Sequence, residues 1–220
     1  MPRIGGWLVS RGLFLTIEGV EGAGKTTQVG SIARRLRAAG RDVLVVREPG
    51  GTPLAEEARR LVLDPALELG SAAELFLMLV ARADLVHHIV RPALEAGTMV
   101  IADRFDLSTR AYQIGGRGLP ESEVVAANNL ATGGLAPDLV VVLDVPPEVG
   151  RARQAAAGKL RDRMEREGEG FHRRVAEAFR AAAGPGILHL PADRSPEDVH
   201  VQLWTELSRR FPAIFPQDAG

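Results

Sequence analysis

The sequence predicts a single α/β domain built on a parallel sheet, and three observations predict it. Five short runs, 13–18, 42–47, 98–102, 139–144 and 186–190, are almost continuously apolar, which is the pattern of strands buried on both faces. The stretches between them carry helix punctuation, so strand and helix alternate along the chain. The first run leads into a glycine-rich segment and then a helix, the order in which such sheets build a phosphate site.

Each element has its own signal. Gln28, Ile32 and Leu36 open the first helix, which Gly40 closes. Thr52 followed by Pro53 starts a second. Ser71 and Glu74 read as a capping box at the head of a long helix that Gly97 ends, and Ser195, Pro196 and Asp198 open the last one. The Gly/Pro-rich stretches 48–53, 115–120, 168–170 and 184–186 are too short for interdomain linkers. Residues 1–220 therefore read as one domain, with 1–12 and 212–220 as loosely held ends.

Composition narrows the function. Lys+Arg 27 against Asp+Glu 28 leaves a net charge of -1, so a broad basic face for nucleic acid is not expected and any anion site must be local. The absence of cysteine excludes disulfides and thiolate metal sites. The longest apolar run, 75–81, is far short of the ~20 residues of a membrane span, and the chain reads as soluble and cytoplasmic. Of its 27 basic residues only Lys25 and Lys159 are lysines; a lysine kept where arginine is the rule suits a site that needs a compact ammonium.

Gly19, Val20, Glu21, Gly22, Ala23, Gly24, Lys25, Thr26 and Thr27 match the GxxxxGK(S/T) phosphate loop at every fixed position. The glycines let backbone N–H groups turn around a phosphate, the helix N-terminus adds its dipole, Lys25 reaches the β/γ-phosphates and the Thr26 hydroxyl ligates Mg²⁺. A guanine-reading Asn-Lys-x-Asp is absent, which argues against a GTPase. A kinase of this fold needs instead an arginine-rich acceptor site and a basic lid. Asp103 and Arg104 end the third strand, on the edge that lines the crevice of an open parallel sheet. Asp103 suits a Mg²⁺ site, directly or through water, and Arg104 suits an acceptor phosphate; a surface ion pair is the alternative. Residues 47–52, REPGGT, follow the second strand and suit either an anion nest or a plain tight turn.

Together GVEGAGKTT, REPGGTPLAEEAR, ARADLVHHIVRPALEAGT, IADRFDLSTRAYQIGGRGL, LDVPPEVGRAR and GKLRDRME resemble, in that order, the bacterial thymidylate kinase family. The resemblance implies the P-loop nucleoside monophosphate kinase fold, a five-stranded parallel sheet ordered 2-3-1-4-5 with helices on both faces. It implies transfer of the γ-phosphoryl group from MgATP to dTMP and a homodimer through the long helices. It assigns Glu21 to the dTMP sugar, Arg104 to the acceptor phosphate, Asp103 to the metal, and Ser108, Thr109, Tyr112 and Gln113 to sugar and base. Tyr112 would fill the space of a ribose 2′-hydroxyl. Arg47 and Arg59 match positions near the acceptor pocket.

The chain departs from the family twice. Where relatives stack a phenylalanine on thymine, four residues before Arg82, it has Met78; Phe76 lies about 120° away around the helix. Relatives without an arginine in the phosphate loop, as here with Gly22, carry catalytic arginines in a lid around GELDRIE. Here the lid, 151–168, reads GKLRDRME with one extra residue before the aspartate and alanines at 155–157. Arg153, Lys159, Arg161 and Arg163 are all candidates for the catalytic cation.

Arg82 interrupts the apolar stripe of Met78, Leu79, Leu85 and Val86 on the long helix. Buried there, it must meet a carboxylate, snorkel to solvent or face a pocket. Asp84 is two positions on and points away. In the resembling family this arginine donates to thymine O4. Adjacent His87 and His88 point about 100° apart and form no two-ligand metal face.

Overall fold

Strand and helix alternate from end to end of the computed structural model, which describes residues 11–156, 158 and 161–216. The strands are β1 (Phe14–Glu18), β2 (Val43–Arg47), β3 (Met99–Asp103), β4 (Leu139–Asp144) and β5 (Ile187–Pro191). All pair in parallel in the order β2-β3-β1-β4-β5. The helices are α1 (Lys25–Ala38), α2 (Pro53–Leu63), α3 (Ser71–Leu85), α4 (Arg91–Glu95), α5 (Asp106–Thr109), α6 (Glu121–Thr132), α7 (Pro147–Ala156), α8 (Glu169–Ala181) and α9 (Pro196–Arg210). A π-helical turn, Val86–Val90, joins α3 to α4 just before Pro92, which has no N–H to continue the α-helical ladder. A second, Arg110–Gly116, extends α5.

Alternation along each strand sends neighbouring side chains to opposite faces. Leu15, Ile17, Ile101, Val141 and Leu143 pack with Ile32 and Leu36 of α1 and with Leu203 and Leu207 of α9. On the other face Phe14 and Val100 meet Leu85, Val90 and Leu94, while Val140 and Val142 meet Phe171, Val175 and Phe179 of α8. Each such fully buried side chain contributes about 1.5–3 kcal/mol, and helices on both faces explain why the strands read as unbroken apolar runs.

Pairing in parallel brings the strand C-termini to one edge. Ile17 and Arg47 both stand in register with Asp103, so the phosphate loop, the 47–52 segment and the Asp103-Arg104 pair open side by side.

Two sequence expectations need correction. The long helix begins after an uncapped Gly70, with Ser71 inside its first turn, and Glu74 is fully buried. Its carboxylate takes four interior hydrogen bonds from Gln113, Arg117 and Arg163, more than a capping box offers. The C-terminal end is also not loose throughout. Phe215 is fully buried, its ring 5.4 Å from that of Trp204, and Trp204 Nε1 donates to the Pro216 carbonyl at 3.0 Å. The caps at Thr52 and Ser195 form as read, accepting from Ala55 N–H and Asp198 N–H respectively.

Candidate active site

The phosphate loop is built by its backbone. Gly22 and Gly24 have φ of 73° and 95°, a region L side chains rarely adopt. A Cβ on Gly22 would stand 2.1 Å from the Gly150 carbonyl oxygen of α7, so an arginine has no room at this position. Lys25 is the first residue of α1 and is buried, its Nζ donating to the carbonyls of Gly19 at 3.1 Å and Val20 at 2.7 Å. Burial, and then the charge of Arg104, lower its pKa to about 8. Thr26 Oγ1 donates to Asp103 Oδ2 at 2.5 Å.

A cleft of about 980 Å³ runs from this loop along the strand ends. Residues 21–27, Arg47, Arg59, Met78, Arg82, Asp103, Arg104, Ser108, Thr109, Tyr112, Gln113 and Arg153 all line it. Gly19, Arg161 and Arg163 do not line it, although Gly19 O accepts from Arg104 Nη1 at 3.1 Å. Phe76 is 61% exposed and lies outside the cleft.

Arg104 is the only non-glycine described residue with positive φ, 76°. Glu18 holds the loop in this shape: its buried carboxylate accepts from Phe105 N–H at 2.7 Å, Ser108 N–H at 3.3 Å and Ser108 Oγ at 2.6 Å. Burial pushes the Glu18 pKa up to about 7 against these hydrogen bonds and the Arg104 charge. Arg104 reaches Ser108 Oγ at 3.0 Å, the Tyr112 hydroxyl at 3.3 Å and Glu21 at 3.5 Å, and the Tyr112 hydroxyl donates to Glu21. Burial opposes ionisation of Glu21, but the Arg104 and Lys25 charges outweigh it and hold its pKa down. Burial and Glu21 keep Tyr112 protonated.

Arg82 meets a carboxylate that the sequence reading did not name. Its Nε and Nη2 donate to Glu48 Oε2 at 2.8 and 2.6 Å, Nη1 donates to Thr109 and Asn128, and Nη2 donates to the Phe105 carbonyl. All five of its N–H donors thus have protein partners. Arg47 forks onto Glu56, which also accepts from Gly51 N–H; a carboxylate of the chain itself fills the turn read as an anion nest. Arg59 donates to the Pro49 carbonyl at 2.8 Å.

The lid candidates separate. Arg153 lies against the phosphate loop, donating to the carbonyls of Ala192 at 2.9 Å, Arg194 at 3.1 Å and Gly22 at 3.5 Å. Arg161 is exposed and folds back onto the Glu165 carbonyl. Arg163 donates to the Val62 carbonyl and to Glu74. Lys159 lies outside the described residues.

The thymidylate kinase family model matches residues 17–203. The chain belongs to the thymidylate kinase family. It is 46% identical to the thymidylate kinase of Deinococcus radiodurans over 92% of its own length and 99% of the relative's. It is 52% identical to that of Pseudomonas fluorescens over 79% and 84%, and 45% identical to that of Halothermothrix orenii over 88% and 95%. The sheet order is the one this membership implies.

Sequence reasoning missed the roles of three buried glutamates beside this cleft, reading Glu74 as a cap and assigning no partner to Glu18 or Glu48. Glu48 stands inside the RE-P-G-G-T segment and Glu18 ends β1, so each was visible as a charge beside a motif. Neither carried a signal naming its partner, because those partners are 34 and about 90 residues away.

Proposed function

We propose that the chain binds MgATP on the phosphate loop and dTMP at the end of the cleft around Arg104, Tyr112, Met78 and Arg82, and transfers the γ-phosphoryl group between them. The activity is that of its family, phosphorylation of dTMP by ATP in nucleotide synthesis. The observation that carries the residue assignment is that Lys25 and Arg104, one cation for each phosphate chain, line a single continuous cleft. Phosphoryl transfer between phosphates requires positioning and charge stabilisation and no protein nucleophile.

The donor set around Thr26 suits Mg²⁺. One hydroxyl and one carboxylate, 2.5 Å apart, match an ion that keeps several waters and takes substrate phosphate oxygens; bound there, it would neutralise charge on the transferring phosphates. Lys25 needs only to leave the Gly19 and Val20 carbonyls to reach them. Arg153 is the lid cation best placed for the transition state, since it lies at the loop. Arg161 and Arg163 are engaged elsewhere. Glu21 and Tyr112 face the sugar, and their mutual hydrogen bond fixes the ring that crowds a 2′ substituent. Gln113 and Thr109 flank the base beside Met78. Arg82 faces thymine O4 through Nη1, whose protons are shared with Thr109 and Asn128 and are not committed to Glu48.

We further propose a cytoplasmic homodimer. Phe76 and Val80, one turn apart on α3, and Leu130 on α6 are exposed apolar side chains on two helices in mutual contact, which suits a second copy. No helix of the described residues is long and apolar enough to cross a membrane.

Coupled ADP release with ATP and a panel of dTMP, UMP, dCMP or no acceptor tests the function. Turnover with dTMP, reduced about a thousandfold or more in a folded Lys25→Ala variant, is the expected result. Equal turnover with all acceptors, or a fully active Lys25→Ala variant, refutes it.

A further inference from the structure

Glu74 has no exposed surface and does not line the cleft. Its Oε1 accepts from Gln113 Nε2 at 3.0 Å and Arg117 Nε at 3.0 Å. Its Oε2 accepts from Arg117 Nη2 at 2.7 Å and Arg163 Nη2 at 2.6 Å. Burial alone would raise its pKa, but the hydrogen bonds from Arg117, Arg163 and Gln113 outweigh that and hold it below the usual carboxylate range. The second guanidinium charge is balanced by Glu167, 2.6 Å from Arg117 Nη1. Every group around Glu74 is therefore paired, which is the condition under which a buried charge cluster is tolerated.

The partners come from different parts of the chain. Gln113 lines the acceptor end of the cleft, and Arg163 belongs to the lid. Arg163 is fixed a second and third time, its Nε donating to the Val62 carbonyl at 2.7 Å and its backbone N–H to that of Leu63 at 3.1 Å. Its lid neighbours Asp162, Met164 and Glu165 line the cleft. Glu74 itself lies one and two helical turns before Met78 and Arg82 on the same face of α3. One carboxylate thus ties the helix under the acceptor, the amide beside it and the lid turn over it.

We propose that Glu74 is a positioning residue, a buried latch that holds the lid turn 162–167 and the Gln113 amide over the acceptor end of the cleft, with Arg163 serving the latch and not the phosphates. The kinetic arm of its test rests on the dTMP kinase reading; the proteolytic arm does not.

Arg163→Ala and Glu74→Gln are compared with the unmodified chain, because Glu74→Ala leaves Arg163 without a carboxylate and Arg117 with Glu167 alone and risks unfolding. Arg163→Ala should raise KM for dTMP about tenfold and lower kcat by a smaller factor, the signature of lost positioning. KM for ATP should change less than twofold. Trypsin cleavage after Arg161 and Arg166, which flank the latch, should accelerate in both variants. The double variant should be no worse than the more damaged single one, since both cut the same link. A kcat loss of about a hundredfold with unchanged KM in Arg163→Ala would put Arg163 on the phosphates and overturn the proposal. Lid cleavage at the original rate in both variants would overturn it too, whether or not their thermal stability falls. Were the unmodified chain inactive on dTMP, the cleavage rates alone would still decide whether the latch exists.

Discussion

The two ends of the cleft are organised by different physics. The phosphate loop is shaped by backbone: nine consecutive residues, three of them glycines at φ of 134°, 73° and 95°, lead from β1 into the start of α1. The acceptor end is shaped by three buried glutamates. Glu18 holds the Arg104 loop, Glu48 holds Arg82, and Glu74 holds the lid and Gln113. Backbone geometry is a local property and is sensitive to a single added methyl. A buried ion pair is non-local, and its integrity depends on charge.

The contrast makes its largest prediction at Glu48. Removing this carboxylate leaves Arg82, 3% exposed, with no opposite charge at 2.6 Å, so Glu48→Ala should destabilise the protein by about 3–5 kcal/mol. Urea unfolding measures this. A loss under about 1 kcal/mol would show that Thr109, Asn128 and the Phe105 carbonyl suffice to hold the guanidinium.

At the other end the expected weakness is steric. Gly22→Ala places a Cβ 2.1 Å from the Gly150 carbonyl at a strained φ, whereas a Cβ on Gly24, also at positive φ, meets no atom within 4 Å. Both carry backbone strain of about 1–3 kcal/mol. Gly22→Ala should cost more than Gly24→Ala in thermal stability, and the difference isolates the contact of α7 with the loop. Equal losses would mean that α7 shifts freely.

The same difference explains what was legible in the sequence. Each strand was read to within a residue or so, and the phosphate loop with its following helix was read completely, because periodicity and motif are local. Glu74 was read as a cap, since a Ser-x-x-Glu spacing is visible and a partner 89 residues away is not. Arg82 stood out as a charge in an apolar stripe, yet nothing local pointed to Glu48. The lid register was ambiguous for the same reason: only contacts with Ala192, Glu165 or Glu74 separate Arg153, Arg161 and Arg163.

That separation gives a third, smaller effect. Arg153→Ala should lower kcat about a hundredfold, the lower end of the range for one lost charge stabiliser, while Arg161→Ala should remain within about twofold. Steady-state kinetics with dTMP decide it, and the reverse ranking would move the cation to the exposed part of the lid.

The last effect is a pH dependence at the acceptor end, set by Glu18, where the phosphate loop has Lys25 with a pKa lowered only to about 8. Glu18 is fully buried, and burial raises its pKa from 4.5 to about 7. The folded state therefore favours the protonated acid more than the unfolded chain does. Its contribution to stability is fully present below pH 4.5, declines as pH rises from there through 7, and is lost above. The decline should amount to about 1–3 kcal/mol. A Glu18→Gln variant keeps the shape, with one oxygen to accept from Phe105 or Ser108, but cannot ionise. Every other titratable group is common to both proteins and cancels in the comparison. The gap in melting temperature should therefore move in favour of Glu18→Gln between pH 5 and pH 8, by about 2–4 °C for each kcal/mol. The deficit of Gly22→Ala should stay constant over the same range, since no charge is involved. Parallel curves for Glu18→Gln and the unmodified chain would show that the three hydrogen bonds to Glu18 offset its burial completely.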